Sequence, residues 1–272
     1  MLKRTFAVDR LTAQRKRQEL EDYFAKNVWN DDDGLVCLSR SMCRASALKK
    51  PDASFYEGQG QAVGSSYEVR EDGTPLRVLV VPMEYGTTRQ GVSWAERSKE
   101  VEKAGEKSFK KLNPHMRGVL FTLQLAYGLP VGESGATQLP SGTDGTSPHL
   151  FEAYAMVNML WCSAVKTGGM SSRSTGMMRA SCARHMRATI DILKPTLVVS
   201  QGAGLDETLR SSLGVREPIN ENIALCELDG QRFVWSSLRH PTLSWHSTKY
   251  PYFEEVVRPT VVESRLRALE LG

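Results

Sequence analysis

Four side chains of unlike chemistry, Glu84, Trp94, Asn158 and His240, stand where a chain tends to keep binding or reactive groups, and five cysteines add soft ligands. Glu84 follows the unbroken aliphatic run Val78 to Val81, between the pattern-breaking Pro82 and Gly86. Its carboxylate therefore falls just past the carboxyl end of an expected strand, where an open parallel sheet keeps its ligand crevice. Asn158 lies in the largely apolar stretch from Phe151 to Cys162, and an amide there needs a partner, either a backbone group or the polar edge of a ligand. His240 stands in Arg239-His240-Pro241-Thr242-Leu243 at the end of another expected strand, where a lone His before Pro is commonly structural. Taken singly, Glu84 also fits a solvated loop and Trp94 a surface or core aromatic. The odd number of cysteines, with no secretion signal, argues against a disulfide framework and towards metal ligation or plain buried thiols.

The elements that must position these groups can be read from pattern. With 272 residues, 40% of them hydrophobic and 24% charged, the chain can bury one large core, and a single domain is expected over 1–272. Its parts are an N-terminal helix and cysteine-bearing segment (1–76), a core (77–250) and a C-terminal helix (251–272). No run approaches the ~18 apolar residues of a membrane span, and Met1 to Arg10 lacks the apolar centre of a signal peptide, so a soluble, cytoplasmic protein is expected. A net charge of +4 is compatible with a polyanionic partner without requiring one.

Leu20, Phe24 and Val28 recur at helical spacing between Arg10 and Trp29. Cys37 and Cys43 follow in LVCLSRSMCRAS, a weak metal signal alone, and then a polar, Gly-rich passage runs to Pro75. Val78 to Val81 reads as a central strand buried on both faces. Helices are expected in Glu96 to Lys111 and around Val119 to Leu125, an irregular excursion over Gly128 to Pro148, and a mobile basic loop over Ser171 to Arg179. A helix from Cys182 to Lys194 stops at Pro195, and the strand Thr196 to Ser200 enters the turn Gln201-Gly202-Ala203-Gly204. That turn lacks the dinucleotide fingerprint, and close strand-to-helix packing suffices to explain it. Asp229-Gly230 marks a hairpin between Ile223 to Leu228 and Phe233 to Leu238, and Tyr252 to Leu271 closes as a helix with Pro259 near its start or in a break. This β-α-β rhythm predicts a parallel sheet with helices on both sides.

Taken together the motifs resemble the uracil-DNA glycosylase superfamily, most closely its iron-sulfur family 4 branch. RVLVVPMEYG followed by RQGVSWAER is similar to the branch's RVLVVGEAPG and RQGRPFVG; VNMLWC is similar to TNVVKC; CARHMRATIDILKPTLVVSQG matches its Cys-to-Pro helix, strand and glycine turn; and HPT matches HPS or HPA. The resemblance spans roughly Cys37 to Leu243, and its strength lies in the ordered set. It implies an α/β fold, a three-layer αβα sandwich around a central four-stranded, mostly parallel sheet. It also implies a DNA glycosylase acting on an extruded pyrimidine nucleotide of DNA, as a monomer. Trp94 would stack on the base and Asn158 would read its edge. His240 would donate to the base O2, where charge grows, and Glu84 would orient water. Met83, Tyr85 and Gly86 would line the base pocket. Arg239, Leu243, Gln201 and Gly202 would contact DNA, with Leu243 the plug that replaces the flipped base.

The resemblance further implies that Cys37, Cys43, Cys162 and Cys182 hold a 4Fe-4S cluster, leaving Cys226 over; a zinc site or unrelated buried thiols are the alternatives. Both cysteine spacings exceed the family's. Where the family gates against substituents at pyrimidine C5 with a bulky Tyr or a Glu, this chain has Gly86 and Met83. A base larger than uracil, such as a hypermodified cytosine of phage DNA, would then be admitted, making the enzyme an antiviral defence glycosylase. The alternatives are an ordinary uracil repair enzyme and an inactive DNA-binding module on the same fold.

Overall fold

The aliphatic run predicted as the central strand takes that place in the computed structural model, which describes residues 4–30, 32–84, 89–142, 145–169, 171–202 and 206–272. The main sheet contains, in chain order, β1 (Ala62–Val63), β2 (Val78–Pro82), β3 (Tyr154–Met156), β4 (Leu197–Gln201), β5 (Val215–Pro218), β6 (Ile223–Leu228) and β7 (Gln231–Leu238). Its spatial order is β5-β6-β7-β4-β2-β3-β1. The four inner strands β7, β4, β2 and β3 are mutually parallel, and antiparallel strands flank them on both sides.

The sheet thus has seven strands where four were expected. The hairpin is one cause: Asp229 and Gly230 both take positive φ, 50° and 80°, as a two-residue turn that follows strand twist requires, and this adds β6, on which β5 pairs antiparallel as the edge strand. The other is β1, a two-residue strand inside the Gly-rich passage, too short to show a pattern.

Alternation along β2 sends its side chains to two cores. Val78 and Val80 pack with Val119 and Leu123 of α4 (Pro114–Ala126) and Val261 of α8 (Arg258–Glu270). Leu79 and Val81 pack with Leu20 and Phe24 of α1 (Arg10–Asn27) and with Met186 and Ile190 of α5 (Gly176–Leu193). All four are fully buried, worth roughly 1.5–3 kcal/mol each. Helices therefore cover both faces.

Local chemistry sets the helix ends. Asp9 caps α1 through Thr12 N–H, and a Ser93–Glu96 capping box opens α3 (Trp94–Gly105). Asn113 caps α4 with Pro114 in its first turn. The basic stretch expected to be a loop up to Arg179 is partly helical: Thr175 caps α5 through Met178 N–H, well before Cys182, and Lys194 ends it in the left-handed conformation before Pro195. The remaining helices are α2 (Arg40–Leu48), α6 (Asp206–Ser212) and the short α7 (Pro241–Ser244). Among the described residues no helix is long and apolar enough to cross a membrane.

Candidate active site at the carboxyl edge of the sheet

Register brings the ends of the parallel strands into line. Gln201 pairs with both Pro82 and Leu238, and beyond β3 the chain stays on the ladder, Val157 N–H donating to Val80 O and Met159 N–H to Pro82 O. Asn158 between them therefore stands beside the end of β2. Met156, Val199 and Leu238 all point into the α4 core, so by alternation Asn158, Gln201 and His240 project to that same face.

Each of these groups is only partly satisfied. Asn158 is 1% exposed, with its N–H donated to Gln61 Oε1 at 2.6 Å, and its Nδ2 has no hydrogen-bond partner among the described residues. Gln201 is fully buried; Nε2 donates to Thr122 Oγ1 of α4 at 3.0 Å, while Oε1 has no partner among them. His240 caps α7, its Nδ1 accepting Thr242 N–H at 3.3 Å. That bond places the proton on Nε2, so the neutral ring retains one N–H donor for a ligand. His240 stacks on His115 of α4, ring centroids 5.4 Å apart and planes 19° apart, and His115 Nδ1 is enclosed without a partner among the described residues. Burial holds His240 below the usual imidazole range. Burial, then His240 and Arg97, bring His115 down to about 3. Both rings are neutral at pH 7.

Other expected site residues are placed differently. Trp94 sits 8% exposed at the start of α3, edge-on to Phe24 at 6.3 Å, so its indole serves the core instead of offering a stacking surface at this edge. Glu84 is tied to the hairpin of Ala53–Tyr56 and Ser163–Lys166: Oε2 accepts Ala164 N–H at 2.8 Å, and Oε1 is buried without a partner among the described residues. Burial raises its pKa, against the opposing effects of Ser172, Ala164 N–H and Lys50. Met83, like Cys162 and Cys182, packs against the apolar cluster that contains Leu160, Ala164 and Met178. Gln201 and Gly202 are buried, Gly202 N–H bonding Leu238 O, so they wall the site and cannot meet a DNA backbone as expected. Arg239 is exposed, its guanidinium 4.9 Å over the Tyr252 ring. Tyr85, Gly86 and the side chain of Leu243 lie outside the described residues.

No protein-family model and no curated protein matches this chain.

The cysteines form a second centre on the other side of the sheet. Cys37, Cys43 of α2, Cys162 and Cys182 of α5 line one cavity with Val28, Leu35, Trp161, Met178 and His185, and all are free thiols. Cys226 is buried apart from them in β6. Burial pushes the Cys182 thiol up to about 12 and raises Cys162 and Cys43, while backbone N–H groups of Gly58 and Trp161 favour the thiolates of Cys162 and Cys182. Arg184 donates to Cys37 Sγ at 3.5 Å, and His185 Nε2 stands 3.7 Å from the same sulfur, its Nδ1 held by Tyr23 at 2.8 Å. Four thiols with one imidazole beside them, N–H groups turned to the sulfurs and no carboxylate among the lining residues have the chemistry of an iron-sulfur or zinc-thiolate centre. Among the described residues, however, no three Cys, His, Asp or Glu side chains stand where they could jointly hold one metal ion.

Sequence reasoning did not single out His115, Arg97, Gln61 or His185. His115 had one local signal: it follows Asn113-Pro114, a helix-start pair, at a position facing a strand end.

Proposed function

We propose that this protein is a DNA glycosylase that hydrolyses the N-glycosidic bond of an extruded, uracil-like or modified pyrimidine nucleotide. The observation that carries the reading is the group of unpartnered polar atoms at the strand ends: Asn158 Nδ2, Gln201 Oε1 and His115 Nδ1 around the neutral donor His240. A base edge offers matching acceptors and donors. The motif resemblance supplies the reaction, and a sheet with helices on both faces and four parallel inner strands supports it.

In this reading Asn158 holds the Watson-Crick edge. His240 Nε2–H donates to the base O2 as the C1′–N1 bond breaks and its electron pair moves into the ring. Glu84 Oε1, with Oε2 fixed by Ala164 N–H, orients the water whose oxygen bonds C1′ and takes up its proton; the raised pKa suits that task. That proton is passed on to N1 of the departing base anion, and the products are the free base and an abasic site.

Cys37, Cys43, Cys162 and Cys182 would hold a 4Fe-4S cluster, which when bound cross-links α2, α5 and the Cys162 segment and takes no part in hydrolysis. A cluster, unlike a single ion, would not require the four thiolates to converge on one point. The replacement of the family's C5 gate by Met83 and Gly86 favours a base larger than uracil. The burial of Trp94 favours a second reading, a DNA-binding module without turnover.

Duplexes carrying uracil, 5-hydroxymethylcytosine or glucosylated hydroxymethylcytosine separate these readings. Release of a modified base by the wild type, lost in Glu84→Gln, is expected; uracil as the only released base removes the enlarged pocket, and no release from any duplex leaves the binding module.

A further inference from the structure

The helix α4 approaches the His240 turn unusually closely. A Cβ built on Gly118 would lie 2.4 Å from Pro241 Cβ, so only glycine lets α4 press on α7 there. One turn earlier on the same helix, His115 lies flat against the His240 ring. Three contacts then bound His240: Thr242 N–H on Nδ1, the His115 ring on one face, and the Gly118–Pro241 contact beneath the backbone. Trp245 braces the same turn, its Nε1–H donating to Arg239 O at 2.6 Å.

We propose that His115 is the positioning residue for His240, fixing the imidazole in one plane and one tautomer so that Nε2–H faces the leaving base; the proposal rests on the glycosylase reading for the role of that donor. Two stacked imidazoles cannot both take a proton cheaply, and His115 disfavours the charge for further reasons. It sits in the first turn of α4, where the helix dipole opposes a cation, and it feels the Arg97 guanidinium of α3. Nearby charged or titratable groups include Arg117 on α4, Arg239 before α7, and His246, Tyr250 and Tyr252 after it, and the elements packed on α4 and beside Arg97 add Glu152, Glu100 of α3 and Arg258, Glu263 and Arg265 of α8. His246 is engaged with Pro241 O and Tyr250, and Arg239 and Tyr252 with each other. No carboxylate is bonded to either ring among the described residues.

The test follows the His240 side-chain resonances through a pH titration in the wild type, His115→Ala, His115→Phe and Gly118→Ala, alongside steady-state base release. His115→Ala should free the ring, move its titration upward towards the ordinary imidazole value and mix its tautomers. It should lower kcat about tenfold with little change in KM, and shift the acid limb of the pH profile upward by the same amount. His115→Phe keeps a flat ring and should restore tautomer and kcat. Gly118→Ala must displace Pro241 and should reproduce the His240 changes with His115 intact. An unchanged His240 tautomer and titration in both His115→Ala and Gly118→Ala overturns the proposal. The resonances do not depend on turnover: a wild type that releases no base, with His240 still freed in His115→Ala, refutes the glycosylase reading alone.

Discussion

The cysteine-lined cavity and the carboxyl edge of the sheet are both assembled from distant segments, and they are opposite in chemistry. Around the cavity, polar hydrogens turn to sulfur: Arg184 to Cys37, Gly58 N–H to Cys162, Trp161 N–H to Cys182, with aliphatic walls between. At the edge, buried polar atoms of Asn158, Gln201 and His115 turn to nothing the described residues provide. Buried donors and acceptors are rarely left unpaired in a folded protein, and three of them gathered at one strand edge, more than the single unpaired atoms such as Trp161 Nε1 elsewhere, call for a water, ion or ligand. Soft ligands enclosed by apolar walls suit a permanent occupant. In the proposed reading the cavity is a structural centre and the edge a working one, a division that substitutions at either place can overturn.

The largest effect is expected at the cavity. Cys162→Ser and Cys182→Ser should lose bound iron, sulfide and visible absorption together, and the unfolding free energy should fall by about 4 kcal/mol or more, as when a structural metal centre is lost. Iron analysis and urea unfolding of aerobically purified protein measure both. A colourless wild type whose urea midpoint matches both variants would make the cavity a plain thiol core. His240→Ala ranks next: losing one transition-state donor should slow base release roughly 100- to 1,000-fold while duplex affinity stays nearly unchanged. A parallel loss of both would place His240 in binding alone.

How far the sequence foretold this difference depends on range. Val78 to Val81, the Asp229-Gly230 turn and the stop at Pro195 are local signals, and each forms the expected element. Asn158 was legible because an amide in an apolar stretch is conspicuous wherever the stretch lies. The His115–His240 stack was not, since nothing near either residue records that α4 meets α7 at a glycine. Trp94 shows the converse: the motif resemblance makes it the stacking aromatic, but packing turns its ring to Phe24. The start of α5 was hidden by Gly176, a poor helix former, although Thr175 was there to cap it.

Acid should bear on the edge of the sheet by an intermediate amount. The folded pKa of His115, about 3, lies below the ordinary 6.5, so the unfolded chain takes up this proton first. Its contribution is therefore whole above pH 6.5 and is lost as pH falls from there towards 3, by roughly 1.4 kcal/mol per pH unit at the steepest. Urea midpoints between about pH 7.5 and 5 should fall more steeply for the wild type than for His115→Phe; equal slopes would show that His115 charges freely in the folded protein.

The smallest change, and the most diagnostic, is expected for Asn158→Leu. If Asn158 were a satisfied core amide, replacing it would leave its partner unpaired and destabilise the fold. Its Nδ2 instead has no partner among the described residues, and such a donor costs about 1–3 kcal/mol of stability wherever it is buried. Leucine removes that donor at similar volume, so the urea midpoint should rise by the equivalent of about 1 kcal/mol. Base release should fall at the same time, roughly 10- to 100-fold, because the edge of the extruded base loses its reader. Opposite signs in stability and activity are what a binding group held unpaired for a ligand must give, and a variant weakened in both would return Asn158 to the core.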